Sequence, residues 1–150
     1  MVGVPPASQH DLGALAFATA IRRRGMDVLY LGADVPVSSW EAAVRTREAR
    51  AAVLSIVLPA DRAAAIAVAE RLLSQVPAPL VFAGGAAAAN LTGGVHSLPP
   101  SIAVAAEKLD LLAHETGDQR LSKSRHVEHG PTGDALTSGS PPTSARSAGE

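Results

Sequence analysis

Ala51 to Leu58 reads Ala-Ala-Val-Leu-Ser-Ile-Val-Leu, eight residues of which only Ser55 is polar. A strand with one wet face alternates polar and apolar side chains. A run this continuous belongs to a strand covered on both faces, which is the mark of a parallel sheet between two helical layers. Four more segments suit the same sheet: Met1 to Val4, Asp27 to Leu31, Leu80 to Ala83 and Val95 to Leu98. Helical stretches separate them. Five such alternations predict an α/β domain with a doubly wound, five-stranded parallel sheet.

The helices follow from periodicity and punctuation. Asp11 to Arg24 is helical, with Asp11 complementing the positive start, Arg22-Arg23-Arg24 the negative end, and Gly25 stopping it. Leu12, Leu15, Ala16 and Thr19 share one side, while Ala14, Phe17, Ala18 and Ile21 widen the apolar surface. Ser38 or Ser39 caps a second helix running to about Glu48, in which Trp40 packs against the sheet. A third helix follows Pro59-Ala60-Asp61 and places Ile66, Ala69, Leu73 and Val76 on one face, before Pro77 and Pro79 end it. An alanine-rich turn or helix reaches Asn90, and Pro99-Pro100-Ser101 start a last helix bearing Ile102, Ala105, Leu109 and Leu112. Hydrophobic residues make up 47% of the chain but aromatic ones only 3%, so tight helix-on-sheet packing of modest stability is expected.

These signals place one domain over residues 1–114. The remaining 115–150, rich in Ser, Thr, Gly, Pro and charge, is expected to be a disordered tail, in which His126 and His129 are incidental. A net charge of −1 argues against direct nucleic-acid binding by this segment. The absence of cysteine removes disulfides, thiolate metal sites and thiol nucleophiles. No apolar run is long enough to span a membrane, and no basic segment precedes the apolar start, so a cytoplasmic location is the default expectation.

In open α/β sheets, ligands bind at the carboxyl ends of the strands. Three such ends carry distinctive residues here. Ser8-Gln9-His10-Asp11-Leu12-Gly13 follows the first segment, Ser55-Ile56-Val57 closes the third, and Gly84-Gly85 follows the fourth. The glycine pair is not a dinucleotide fingerprint, which would follow the first strand, and no Walker loop is present. Pro5 and Pro59 stand where a phospho-receiver would need acidic residues. A histidine in the first strand-to-helix loop can serve as a metal ligand or proton carrier.

In that order, the three loops resemble the cobalamin-binding domain family, whose Rossmann-like, flavodoxin-like domains carry Asp/Glu-x-His-x-x-Gly, Ser-x-Leu and Gly-Gly at these places. The flanking His-Asp-Leu-Gly, Arg-Arg-Arg-Gly and Tyr-Leu-Gly-Ala-Asp-Val-Pro are similar to the subgroup fused to MerR-type, light-sensing transcriptional regulators. The resemblance implies that cobalamin, as adenosylcobalamin or methylcobalamin, is bound with its dimethylbenzimidazole displaced and His10 as the lower axial cobalt ligand. The binding set it implies is Ser8, Gln9, His10, Asp11, Gly13, Ser55, Val57, Gly84 and Gly85. Gly84 and Gly85 would open a slot for the displaced tail, Ser55 would offer it a hydroxyl, and Gly13 would let the first helix approach the corrin edge. His96 and His114 have no counterpart and are read as structural.

The chain departs from the family pattern in three places. Val57 replaces the commoner leucine, a small loss of packing against the tail. Met1 begins within the first strand, so the domain reads as incomplete at its amino end, with a helical cap or DNA-binding module supplied by another chain or lost. The acidic residue that precedes the histidine in the family is Ser8 here. The implied function is a sensory or regulatory cobalamin module with no catalytic residues of its own. The alternatives are a corrinoid-carrying subunit of a methyltransferase or mutase, and a degenerate interaction domain. A serine accepts the imidazole proton less well than a carboxylate, so a weaker axial bond than in acidic relatives is expected. Ser8→Asp should therefore change both affinity and spectrum in an absorption titration with cobalamin.

Overall fold

The computed structural model describes residues 1–113, so His114 and the expected tail, with His126 and His129, lie outside the described residues. Four parallel strands form one sheet in the order β1 (Val2–Gly3), β2 (Ala51–Ser55), β3 (Leu80–Gly84) and β4 (Val95–Ser97). The segment 27–31, expected as a further strand, lies beside β1. There the Val2 and Val4 amides donate to the Leu29 and Gly32 carbonyls, and the Leu31 amide donates to the Val2 carbonyl. It makes only a single bridge, Val2 to Tyr30, so the described sheet has four strands rather than five. The cause is the shortness of β1, which stops before Pro5 and leaves this edge segment little to pair with.

Helices α1 (Leu12–Arg23), α2 (Val37–Arg47), α3 (Arg62–Leu73) and α4 (102–113) cover the sheet on both sides. Strand side chains alternate between faces. Ala52, Leu54, Val81 and Ala83 meet Trp40 and Val44 of α2 and Ala65, Val68 and Leu72 of α3. Val2, Val53 and Phe82 meet Ala14, Phe17 and Ile21 of α1 and Ala105, Ala106 and Leu109 of α4. The doubly wound arrangement is thus present, with Trp40 fully buried against the sheet as expected.

Three local expectations are corrected. In α1 the buried face is Ala14, Phe17, Ala18 and Ile21, whereas Leu12 is 80% exposed and Leu15 is 42% exposed. Phe17 sets the helix phase because it fills the space over Val53 and Phe82, and the two leucines are turned outward. In α3, Ala65, Val68, Ala69 and Leu72 face inward, while Ile66 is partly exposed and Val76 lies beyond the helix, fully exposed. Neither Ser38 nor Ser39 caps α2. Pro36 occupies the cap, and both serines fall in the first turn. The alanine-rich stretch after β3 forms turns, with the Arg62 guanidinium donating to the carbonyls of Ala87 and Ala89.

Where β2 and β3 end, their exits cross closely. The Ile56 amide donates to the Gly84 carbonyl at 2.8 Å, and the Ala87 amide donates to the Ile56 carbonyl at 3.0 Å. Gly85 turns this corner at φ +109°, and a Cβ there would stand 2.4 Å from the Ile56 oxygen. Its lack of a side chain therefore serves the fold itself. Gly84 is different: a Cβ would meet only Leu98, at an ordinary 3.6 Å. Gly85→Ala should cost about 2–3 kcal/mol by urea unfolding. Gly84→Ala should change stability by less than about 1 kcal/mol.

Candidate functional site

The ladder between β2 and β3 fixes the floor of the site. Ser55 pairs in register with Gly84 at the carboxyl end, and two-residue alternation turns both toward α1 and α4, on the side of Val53 and Phe82. A serine beside a glycine leaves room that bulkier residues would fill. The result is a cleft of about 200 Å³ walled by Gly13 and Phe17 from α1 and by Leu98, Ile102 and Ala105, with Val57 and Gly85 also on its lining. Ser55 is 8% exposed and lies on the lining of this cleft, so its hydroxyl is the polar group that the lining offers to whatever enters.

Gly13 is informative for the opposite reason to Gly85. It sits in the first turn of α1, and a Cβ built there would meet nothing within 4 Å. Glycine inside a helix is unfavourable, and here the packing does not demand it. The missing side chain leaves the cleft wall open.

Ser8, Gln9, His10 and Asp11 do not line the cleft. They form the loop that enters α1, whose first turn does. Gln9 and His10 are exposed, and Ser8 is buried at 2% exposure. The loop is pinned from two directions. Asp34 accepts the Ala7 amide at 2.7 Å through its carboxylate and donates its own amide to the Ser8 carbonyl at 2.9 Å. The Ser8 hydroxyl donates to Asp61 Oδ2 at 3.0 Å, and the same oxygen accepts the Leu58 amide at 3.1 Å. Asp11 makes no capping hydrogen bond with its side chain, which instead accepts the Tyr30 hydroxyl at 2.8 Å. Withdrawal of the phenol from water, then its bond to Asp11 and that residue's charge, push the Tyr30 pKa up to about 12.

The structure thus brings Gly13, Ser55, Val57, Gly84 and Gly85 together around one cleft, and sets His10 apart from it as an exposed group on a fixed loop. Asp34, Tyr30 and Asp61 were missed by sequence reasoning, as were the walls Phe17, Leu98 and Ile102. For Asp61 the only local signal is an aspartate ahead of a helix, which reads as an ordinary cap. Its bond to Ser8 spans 53 positions, and no sequence pattern announces it. His96, expected as structural, is exposed on β4 with its ring 5.2 Å from Phe82. Among the described residues, no group of three or more His, Cys, Asp or Glu side chains is gathered as a metal site.

The B12 binding domain family model matches residues 1–98. No curated protein matches the chain. Among solved structures, the chain is similar to a cobalamin-binding protein from Desulfitobacterium hafniense DCB-2. The TM-score is 0.63 and the identity 21%, covering 72% of this chain and 55% of that one. It is also similar to the methanol:cobalamin methyltransferase complex of Methanosarcina barkeri, at TM-score 0.64 and 20% identity over 75% of this chain and 45% of that one. A third likeness is to the monomethylamine corrinoid protein of Methanosarcina barkeri, at TM-score 0.61 and 20% identity over 71% and 54%. The chain spans about half the length of each of these proteins. No helix among the described residues is long and apolar enough to cross a membrane.

Two outcomes follow from the geometry. Gly13→Ala should raise unfolding stability by up to about 1 kcal/mol in urea while narrowing the cleft. The raised Tyr30 pKa means that its contact favours the fold below about pH 10 and fades as the pH rises to about 12. In a pH series of melting temperatures, Tyr30→Phe should remove that alkaline decline.

Proposed function

The chain belongs to the B12-binding domain family, and from that premise we propose that it holds cobalamin with the dimethylbenzimidazole displaced and His10 on the cobalt. The observation that carries this reading is the cleft built on the Ser55–Gly84 register pair, walled by the helix that His10's loop leads into. The residues fit such a ligand. The cleft is largely apolar, as a stacked aromatic base requires, and the Ser55 hydroxyl on its lining suits the polar part of a nucleotide tail. Gly13 keeps the wall clear, and Gly84 keeps the floor low. An exposed imidazole is a neutral nitrogen donor suited to cobalt. Ser8, Gln9 and Asp11 act on the ligand through the loop that carries His10.

When bound, cobalamin supplies an alkyl–cobalt bond, reactive in group transfer and sensitive to light. The protein supplies the imidazole, the slot and the exclusion of water from the tail. We assign it a sensory or regulatory role without catalytic residues of its own. Leu12 at 80% exposure and Leu58 at 42% flank this loop system, and they suit an apolar cover brought by a helical cap or DNA-binding module on another chain. The second reading is a corrinoid carrier for a methyltransferase, favoured by the names of the methanol and monomethylamine proteins whose fold it shares.

The purified protein should retain adenosylcobalamin, methylcobalamin or hydroxocobalamin through desalting. Its melting temperature should rise, since a ligand at a hundredfold excess over its Kd adds about 2.7 kcal/mol to stability. Failure of all three cobalamins to bind would overturn the reading in favour of an interaction domain that no longer binds the cofactor. His10→Ala should lower affinity about tenfold or more and give the spectrum of cobalamin without imidazole on cobalt. Gly84→Val should abolish uptake without unfolding the protein. A spectral change on illumination favours the sensory role; methyl transfer to or from an added methyltransferase favours the carrier.

A further inference from the structure

Helix α1 carries two apolar faces. Ala14, Phe17, Ala18 and Ile21 are committed to the sheet, while Leu15, Ala16 and Thr19 are exposed beside Arg23. A helix that is apolar on its solvent side as well needs a cover there. Thr19 adds to that character, because its hydroxyl is turned back onto the Leu15 carbonyl at 2.9 Å. Its neighbour α4 is alike, with Val104 and Leu111 exposed. Leu12 and Ile102 are exposed too, but they stand at the site already described. On the other side of the sheet, Ile66 is the one large apolar side chain exposed on α2 and α3.

The two helices form one surface in a fixed relation. Both return from the carboxyl ends of parallel strands, so they run in the same direction. The ion pair of Arg24 with Asp110, at 3.7 Å, sets residue 24 level with residue 110. Between the helices lies a groove of about 340 Å³ floored by Ala16, Ala20, Ala103 and Ala106. Its two rails carry opposite charge near the foot, Arg23 and Arg24 at the end of α1, Glu107 and Asp110 on α4. The other cations of this layer are held elsewhere. Arg22 donates to the Val28 carbonyl and Lys108 to the Ser97 carbonyl, at opposite margins of the sheet.

We propose that this surface joins two copies of the chain about a two-fold axis running along the groove, so that α1 of each copy lies on α4 of the other. One basic and one acidic rail on the same surface are what such an axis requires, because the rotation sets each rail against its opposite. Arg23 then faces Glu107 of the partner subunit, and Leu15 comes within a turn of Val104 of the partner subunit. An unrelated chain would have to bring a matching pair of rails; a second copy already has them. The apolar side chains supply the affinity, and the charges fix register and choice of partner. The inference does not depend on what the cleft holds. It bears on the cleft all the same, since Gly13 and Phe17 of α1 and Ile102 and Ala105 of α4 are its walls, and a second copy braces those helices from behind.

The experiment is sedimentation of the full chain over a concentration series, with charges reversed on the rails. The wild type should pass from monomer to dimer. Arg23→Glu and Glu107→Arg should each raise the dimer dissociation constant about tenfold or more, because each sets like charges together at two symmetric places. An equimolar mixture of the two variants should recover the dimer, since each chain then meets its opposite. Melting of each variant alone reports folding. Should a reversal fail to fold, Leu15→Asp and Val104→Asp, which remove the apolar contact at exposed positions, decide the matter by weakening the dimer or leaving it intact. A wild type that stays monomeric across the series would overturn the proposal. A dimer indifferent to both reversals would place the contact on another face and overturn it too. So would a mixture no more dimeric than its two components.

Discussion

Five in-register pairs join β2 to β3, from Ala51 with Leu80 to Ser55 with Gly84, and everything near the site depends on where that ladder stops. A parallel ladder has no freedom to slip by one residue without exchanging its two faces. In this register Leu54 and Ala83 are committed to the layer holding Trp40, and Ser55 and Gly84 are committed to the layer holding Phe17. The closing bond from Ile56 to the Gly84 carbonyl then brings the two exits so near that only glycine fits at position 85. The cleft is a by-product of that geometry: two small residues at the last register pair, walled but not filled by Phe17, Leu98 and Ile102.

Much of the fold was legible because buried parallel strands leave an unmistakable trace. The apolar runs at 51–58 and 80–83 needed no context, and the proline and glycine punctuation set the helix limits to within a few residues. What could not be read was helix phase. In α1 two apolar faces compete, and the sequence alone does not say that Phe17 wins over Leu12 and Leu15. That outcome depends on the shape of the sheet beneath. The edge segment 27–31 shows the same limit, because its strand-like composition counts for little beside a β1 only two residues long.

The site was legible in a different sense. Ser55, Gly84, Gly13 and Val57 were named from their places in three loops, and the fold gathers them around one cleft. The two adjacent glycines, taken together in the sequence, divide in the structure into one that faces the cavity and one that the backbone requires. The contacts that hold the first loop were invisible, since Asp34 and Asp61 are distant in sequence and each is unremarkable where it stands. Long-range polar pairs leave no periodicity, so only coordinates reveal them.

Both helical layers bury large side chains against the sheet, Trp40, Leu54 and Leu72 on one side and Phe82 and Leu109 on the other. On the second side α1 and α4 also face each other across a groove of about 340 Å³ lined by Ala16, Thr19, Ala20, Ala103 and Ala106, with Arg23 and Arg24 at its margin. The same two helices pack Phe17 and Ile21 with Ala105, Ala106 and Leu109, and Arg24 pairs with Asp110 at 3.7 Å. The seam is like a joint planed shallow in one place and tenoned in another, so the wall of the cavity is anchored through both of the helices that form it.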